Sequence, residues 1–332
     1  MPTTLADLTD ATDVAVQLYA EKTAQKGIDN KWQEIYATET GVTDLDTKES
    51  SQSGLGFAGR VVEQAAFTEK SPIQNFDKTW TQAQYGVVLT FSKMMWLFGI
   101  KRRKLESSVN SVITAVSNLR NKRLYEKLTN SFSTTYTAED ISGNYSIDIS
   151  GGDSKALVSN AHTREDAGTD NDNRITDGTT VNMQLDYDGI KGAHRTAQAV
   201  LDPVGIPLDI DLDTIVVSKN STNHQKAMEL KGSIDSGKIS ESFDNDGSGV
   251  RTFKIHATRW FLKNTDFWFM MDSKMKNSNM GALWMRQAQE IMMDPVNIVY
   301  KTKELQWTCE WIGDWQHNDF RNLVGSKGTN AA

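Results

Sequence analysis

"LDPVGIPLDIDLDTIVVSKN", Leu201–Asn220, is the stretch from which the rest of the chain can be read. Its first half places Pro203, Gly205 and Pro207 within five residues, a turn composition. Its second half ends in Thr214–Ser218, a β-branched run of strand length. On the N-terminal side, "YDGIKGAHRTAQAVLD" (187–202) has the spacing of an amphipathic helix; on the C-terminal side, "STNHQKAMELKGSI" (221–234) resumes a helix. "DNDGSG" (244–249) is a turn, and "RTFKIHATRWF" (251–261) and "DFWFMMD" (266–272) read as strands around a further turn. Near the C-terminus, Leu305, Trp307, Cys309 and Trp311 alternate with polar residues, a strand signal. Helices and strands are mixed rather than strictly alternating, which predicts an α+β chain and not a doubly wound sheet.

Moving toward the N-terminus, the clearest helix lies within 99–137. Leu105, Val109, Val112, Val116 and Leu119 step by four and three residues, with Ile113 beside them, and the stripe continues displaced at Leu124 and Leu128. The opposite face carries Lys101, Arg102, Arg103, Lys104, Arg120, Lys122 and Arg123. Four bases at the helix start oppose the macrodipole and call for compensation from elsewhere.

Before that helix, "RVVEQAAF" (60–67) and "QYGVVLTFS" (84–92) read as two strands of a hairpin, with "TEKSPIQNFDKTWT" (68–81) as a long polar tip. A lone two-stranded hairpin is marginal in water and needs a surface to lie on. Its aromatic residues Phe67, Phe76, Trp80 and Tyr85, with the basic run Lys101, Arg102, Arg103 and Lys104, are the candidate contacts with a second copy of the chain. Residues 1–50 read as an arm with one or two short helices and no core of its own. That arm carries 4 bases and 10 acids, whereas residues 51–137 carry 12 bases and 5 acids. An acidic arm lying on a basic strip, its own or a neighbour's, follows from that imbalance.

The totals narrow the function classes. The chain has 332 residues, 38% apolar, with a net charge of -7, so its overall field does not attract duplex DNA. One cysteine, Cys309, rules out an internal disulfide and a Cys-rich metal site; it reads as a buried thiol. The N-terminus has acids where a secretory signal has bases, and the most apolar window, Tyr85–Ile100, is broken by Ser92 and Lys93. A chain made in the cytoplasm and kept reduced is expected, with no membrane partner.

The chemical motifs fail one by one. "NAHTREDAGTDNDNRITDG" (160–178) holds one histidine and five carboxylates, but counting a calcium loop from Asp170 puts Arg174 and Ile175 where a ligand and a glycine belong. Asx and Gly residues also supply turns, and turn scaffolding is the better reading. "GLGFAG" (54–59) fits a dinucleotide fingerprint by letter, yet no strand precedes it and no helix follows. The five histidines are scattered without a short ligand pair. No catalytic residue, cofactor or metal is expected, and the strand aromatics read as core or interface.

Three segments in this order resemble the major capsid proteins of tailed bacteriophages. They are "ALVSNAHTREDAGTDNDNRITDG" (156–178); "LDPVGIPLDIDLDTIVVSKN", with Asp202, Gly205, Pro207, Leu208, Asp213, Thr214, Val216 and Val217; and "DWQHNDFRNLVGSKG" (314–328). The resemblance implies the Hong Kong-type capsid fold: an N-terminal arm (1–50), an extended β-hairpin loop (51–98), a spine helix and peripheral domain (99–184), an axial domain (185–250), and return strands to the C-terminus (251–332). It implies a non-enzymatic major capsid protein assembling through hexamers and pentamers into an icosahedral shell around double-stranded DNA held without sequence-specific contacts. Its partners would be itself, a portal protein and a separate scaffolding or decoration protein, and its place the virion capsid after synthesis in the host bacterial cytoplasm. An encapsulin-like compartment shell and, further off, a calcium-dependent binding module are the alternatives. The Lys–Asn cross-link of some members has no identifiable pair here.

Overall fold

The computed structural model describes residues 30–52, 69, 71, 74–92, 102–140, 143–164, 168–235, 253–278, 280–294, 297–299, 304–317 and 319–329. The chain is α+β. Its elements are a 3-10 turn (Lys31–Glu34), β1 (Ala37–Thr40), β2 (Asp46–Gln52), β3 (Gln74–Thr81), β4 (Ala83–Ser92), α1 (Arg102–Thr129), β5 (Thr135–Asp140), β6 (Gly143–Asp148), α2 (Tyr187–Ala199), β7 (Thr214–Ser218), α3 (Thr222–Asp235), β8 (Lys254–Thr258), β9 (Trp268–Met271), β10 (Trp284–Met293), β11 (Asn297–Val299), β12 (Glu304–Gln316) and β13 (Leu323–Ser326).

Two sheets organise the body. In the first, the 13-residue β12 is central: β10 and the short β11 pair with one edge and β4 with the other, while β1 adds to β10 in parallel. β4 alternates between its two faces. Its inward Tyr85, Val87, Leu89 and Phe91 join Trp307, Cys309 and Trp311 of β12 against α1, which supplies Val112, Ile113, Val116, Leu124 and Leu128. In the second sheet, the order is β13-β9-β7-β8. Here Val216, Phe269, Met271 and Leu323 face the same core as α1, while Ile215, Val217, Trp268, Met270 and Val324 face a second core closed by α2. The sheet is covered on both sides, which is why β7 reads as a continuous apolar run.

The turn before β7 forms as its composition requires. Gly205 sits at φ +82°, in the left-handed region, and its N–H donates to the Asp202 carbonyl at 2.7 Å. Asp186 caps α2 by accepting from the Gly189 N–H at 2.7 Å.

Several expectations are corrected. Gln84–Ser92, expected in the hairpin, lies in β4, which pairs with β12 from Ala83↔Gly313 to Ser92↔Glu304. The ribbon is instead β2 with β3, so Asp46–Gln52, read largely as arm, and Gln74–Thr81, read largely as tip, are its two strands. "RVVEQAAF" and "GLGFAG" lie outside the described residues, as does "DNDGSG". The arm expected to lack a core is rooted in one from residue 32 onward. Trp32, Ile35 and Tyr36 are buried, and the Tyr36 hydroxyl donates to the Leu124 carbonyl at 2.6 Å. The polar face expected on α1 is partly covered as well. Arg120 and Arg123 are buried: the Arg120 guanidinium lies 5.2 Å from the Trp32 ring centroid, and Arg123 donates to Glu126 at 2.9 Å and to the Tyr145 hydroxyl at 2.8 Å.

The Asx-rich loop is scaffolding. His162 and Asn171 exchange backbone hydrogen bonds at 3.0 and 2.9 Å. The fully buried Asn173 side chain accepts from Ser159 N–H and donates to the carbonyls of Leu157 and Leu323, stitching the loop to β13. Asp177 accepts from the N–H groups of Thr179 and Thr180. Residues 165–167, with Glu165 and Asp166, lie outside the described residues.

Candidate functional site

The β2–β3 ribbon forms a sheet of two strands, and neither outer edge has a partner strand among the described residues. An unpaired edge presents free N–H and C=O groups to any strand that approaches. The ribbon's root, by contrast, is firmly held. Trp80 is fully buried, with the Arg286 guanidinium 4.7 Å from its ring centroid, and the Arg286 Nε lies 2.9 Å from Glu39 in the arm. Lys78 reaches Asp148 at 3.3 Å and the Ser150 hydroxyl at 3.4 Å. The Phe76 carbonyl presses on Gly152 so closely that a Cβ there would lie 2.7 Å from the oxygen. One residue, Gln82, separates β3 from β4, and its N–H donates to the Leu45 carbonyl at 2.9 Å.

The aromatic contact candidates therefore divide. Trp80 has no surface to offer a second copy, because Arg286 and the body already enclose it. Tyr85 stacks on Trp311 at 5.5 Å and meets Trp315 at a tilt at 5.7 Å, and burial drives its phenol far above the ordinary tyrosine value. Phe76 is half-buried at the root. Phe67 and Lys101 lie outside the described residues. Arg102, Arg103 and Lys104 occupy the start of α1, with their side chains outside the described set.

What remains at the surface is a small set of large apolar side chains. Leu45 stands at the foot of the ribbon; Val88 and Met292 lie on the outer face of the first sheet; Met228 and Leu262 are further off. The outer face between Val88 and Met292 is polar, with Glu310 accepting from Gln84 at 2.6 Å and from Gln289 at 3.1 Å. Among the described residues, no group of three or more His, Cys, Asp or Glu side chains could hold a metal ion, and no helix is long and apolar enough to cross a membrane. Cys309 is buried and its thiol is pushed up to about 12 by desolvation.

Sequence reasoning missed the residues that fasten the ribbon and the C-terminal segment: Glu39, Lys78, Arg286, and the buried trio Asp202–Arg321–Asp319. Arg321 Nη1 donates to Asp202 at 2.6 Å and its other nitrogens grip Asp319. "DFR" (319–321) offered a signal, since an Asp two residues before an Arg can grip it locally; the distant Asp202 gave none.

Comparison with known proteins adds likenesses of shape. No protein-family model matches the chain, and no curated protein sequence matches it. A virus-like particle from Pyrococcus furiosus is similar over 94% of this chain and 97% of its own, at 7% identity and TM-score 0.48. The cyanophage Pam1 capsid is similar over 90% and 92%, at 9% identity and TM-score 0.49. The head of Helicobacter pylori bacteriophage KHP40 is similar over 90% and 87%, at 11% identity and TM-score 0.48. At such identities and TM-scores they assign no function, and the functional reading stands on the chain's own geometry.

Proposed function

We propose that the chain is the repeating subunit of a closed protein shell, a major capsid protein of the tailed-phage kind that encloses double-stranded DNA. The observation that carries this reading is the β2–β3 ribbon: anchored at its root and, among the described residues, with no partner strand on either outer edge. A ribbon of this kind is stable when a further surface covers it, and copies of the same chain supply that surface repeatedly. A head-to-tail contact repeated by rotation closes into rings, the route to hexamers and pentamers. The arm root, the long α1 and the two-core body supply a rigid frame on which such contacts keep a fixed angle. The net charge of -7 leaves DNA free to move inside. A portal and a scaffolding or decoration protein complete the proposed set of partners.

Electron microscopy of the purified protein tests the reading. Closed shells or rings are expected, and nuclease-protected DNA inside particles from infected cells distinguishes a capsid from a compartment that holds enzyme cargo. A chain that stays monomeric at every concentration would overturn it.

A further inference from the structure

Three parts of the chain meet at the ribbon root around a void of about 10 Å³, the space of roughly one water. Phe76 comes from β3, Asp153 and His162 from the loop after β6, and His317 and Phe320 from the segment after β12. His162 lies face to face on Phe320, with centroids 3.6 Å apart and planes within 5°. Its Nδ1 is 2.7 Å from an Asp153 carboxylate oxygen. Among the described residues its Nε2 has no partner, nor does either ring nitrogen of His317, although both rings are almost fully buried. Buried polar groups are normally satisfied, so three bare imidazole nitrogens beside one void call for an explanation.

The geometry points to an acid-operated release of the ribbon root: proton uptake by His317, beside His162, loosens β3 from the loop 148–153. The surrounding groups set the direction. Lys127 of α1 and Lys78 of β3 bring positive charge to His317. The nearby carboxylates are already engaged or burdened. Asp153 is on His162, Asp319 is on Arg321, and Asp148 is on Lys78. Asp314 of β12 is itself held toward its neutral form by burial. A new imidazolium therefore finds no free counter-charge and repels Lys78, the side chain that pins β3 to Asp148 and Ser150. Burial, with Lys127, His162 and Lys78 close by, holds the His317 imidazole well below the ordinary histidine value. The closed root keeps that ring neutral, and the opened root takes the proton. Below the unperturbed histidine value of about 6.5, one such proton favours opening by up to about tenfold per pH unit. The device belongs to the single chain, so its failure leaves the shell reading untouched.

Amide-exchange mass spectrometry on the full chain reads this directly, once the intrinsic pH dependence of exchange is removed. Between pH 7 and pH 5, protection of residues 74–81 and 148–153 is expected to fall by about tenfold or more, while β7 and β9 stay protected. His317→Gln is expected to keep neutral-pH protection and flatten the response; His224→Gln, on α3, leaves the response intact. Should His317→Gln fail to fold, a histidine-ring NMR titration of the unaltered chain decides, with the His317 signal expected to titrate together with root opening. An unaltered acid response in His317→Gln, a His317 signal that titrates apart from opening, or simultaneous loss of protection in β7 and β9 would overturn the inference.

Discussion

Without Arg321, the buried Asp202 and Asp319 would lose the cation they share. Removing one partner from a buried charge cluster costs about 3–5 kcal/mol, so Arg321→Leu is expected to lower the urea midpoint sharply. Asp202→Asn, which keeps a hydrogen-bond acceptor for Arg321, should cost less. Equal losses from the two substitutions would mean that packing around residue 321 matters more than its charge. Cys309 gives a second check. Its thiol is buried and raised to about 12, so the native chain at pH 8 is expected to leave a thiol reagent unconsumed and the unfolded chain to consume one equivalent. Rapid native reaction would place Cys309 elsewhere.

The loop 153–178 and helix α1 carry their predictions through hydrogen bonds and packing. Asn173→Ala removes three hydrogen bonds and leaves the Leu157 and Leu323 carbonyls and the Ser159 N–H without that partner. A loss of about 1–3 kcal/mol is expected by denaturant titration. Leu128→Ala, on the buried end of α1, should cost about 2–5 kcal/mol, whereas Leu119→Ala, half-buried, should cost less. These elements also show what the amino-acid order reveals. α2, β7 and the alternating β12 declare themselves because each buries a regular apolar set, and the stripe of α1 does so through Val112, Val116 and Leu128. The ribbon does not. "DTKESSQ" of β2 has no apolar face to betray a strand, and β4, with a strong one, pairs with β12 more than 200 residues away, a partner that local pattern does not reveal. The burial of Arg120 and Arg123 is not evident in the sequence, because charge alone does not show what will cover it. The candidate site was legible only as the presence of a ribbon; its fasteners Glu39, Lys78 and Arg286 are distant in sequence and meet only in the fold.

At the level of the whole molecule, one sheet serves two cores. Val216 and Val217 are neighbours in β7 yet face opposite sides. Val216→Ala and Val217→Ala should each cost about 2 kcal/mol and each lower a single calorimetric transition. Two separate transitions would mean that the cores melt independently. Each buried titratable group gives the pH response of stability its own sign. Burial lowers the His317 imidazole below its ordinary value and pulls the Lys127 amine down to about 7. Through these two groups the unfolded chain binds more protons than the native one, by His317 below about pH 6.5 and by Lys127 between about 7 and 10.4, while Asp314, raised by burial, acts in the opposite sense. His317→Gln and Lys127→Met are each expected to reduce the gain of stability with rising pH in urea titrations, the first below about pH 6.5 and the second above about pH 7. The one-residue joint at Gln82 has a mechanical consequence. β3 runs on into β4, and β4 is laced to β12 along its entire length. A tug on the ribbon loads those rungs side by side, as in a lap seam, so none can tear ahead of its neighbours and the strain is passed whole into the body.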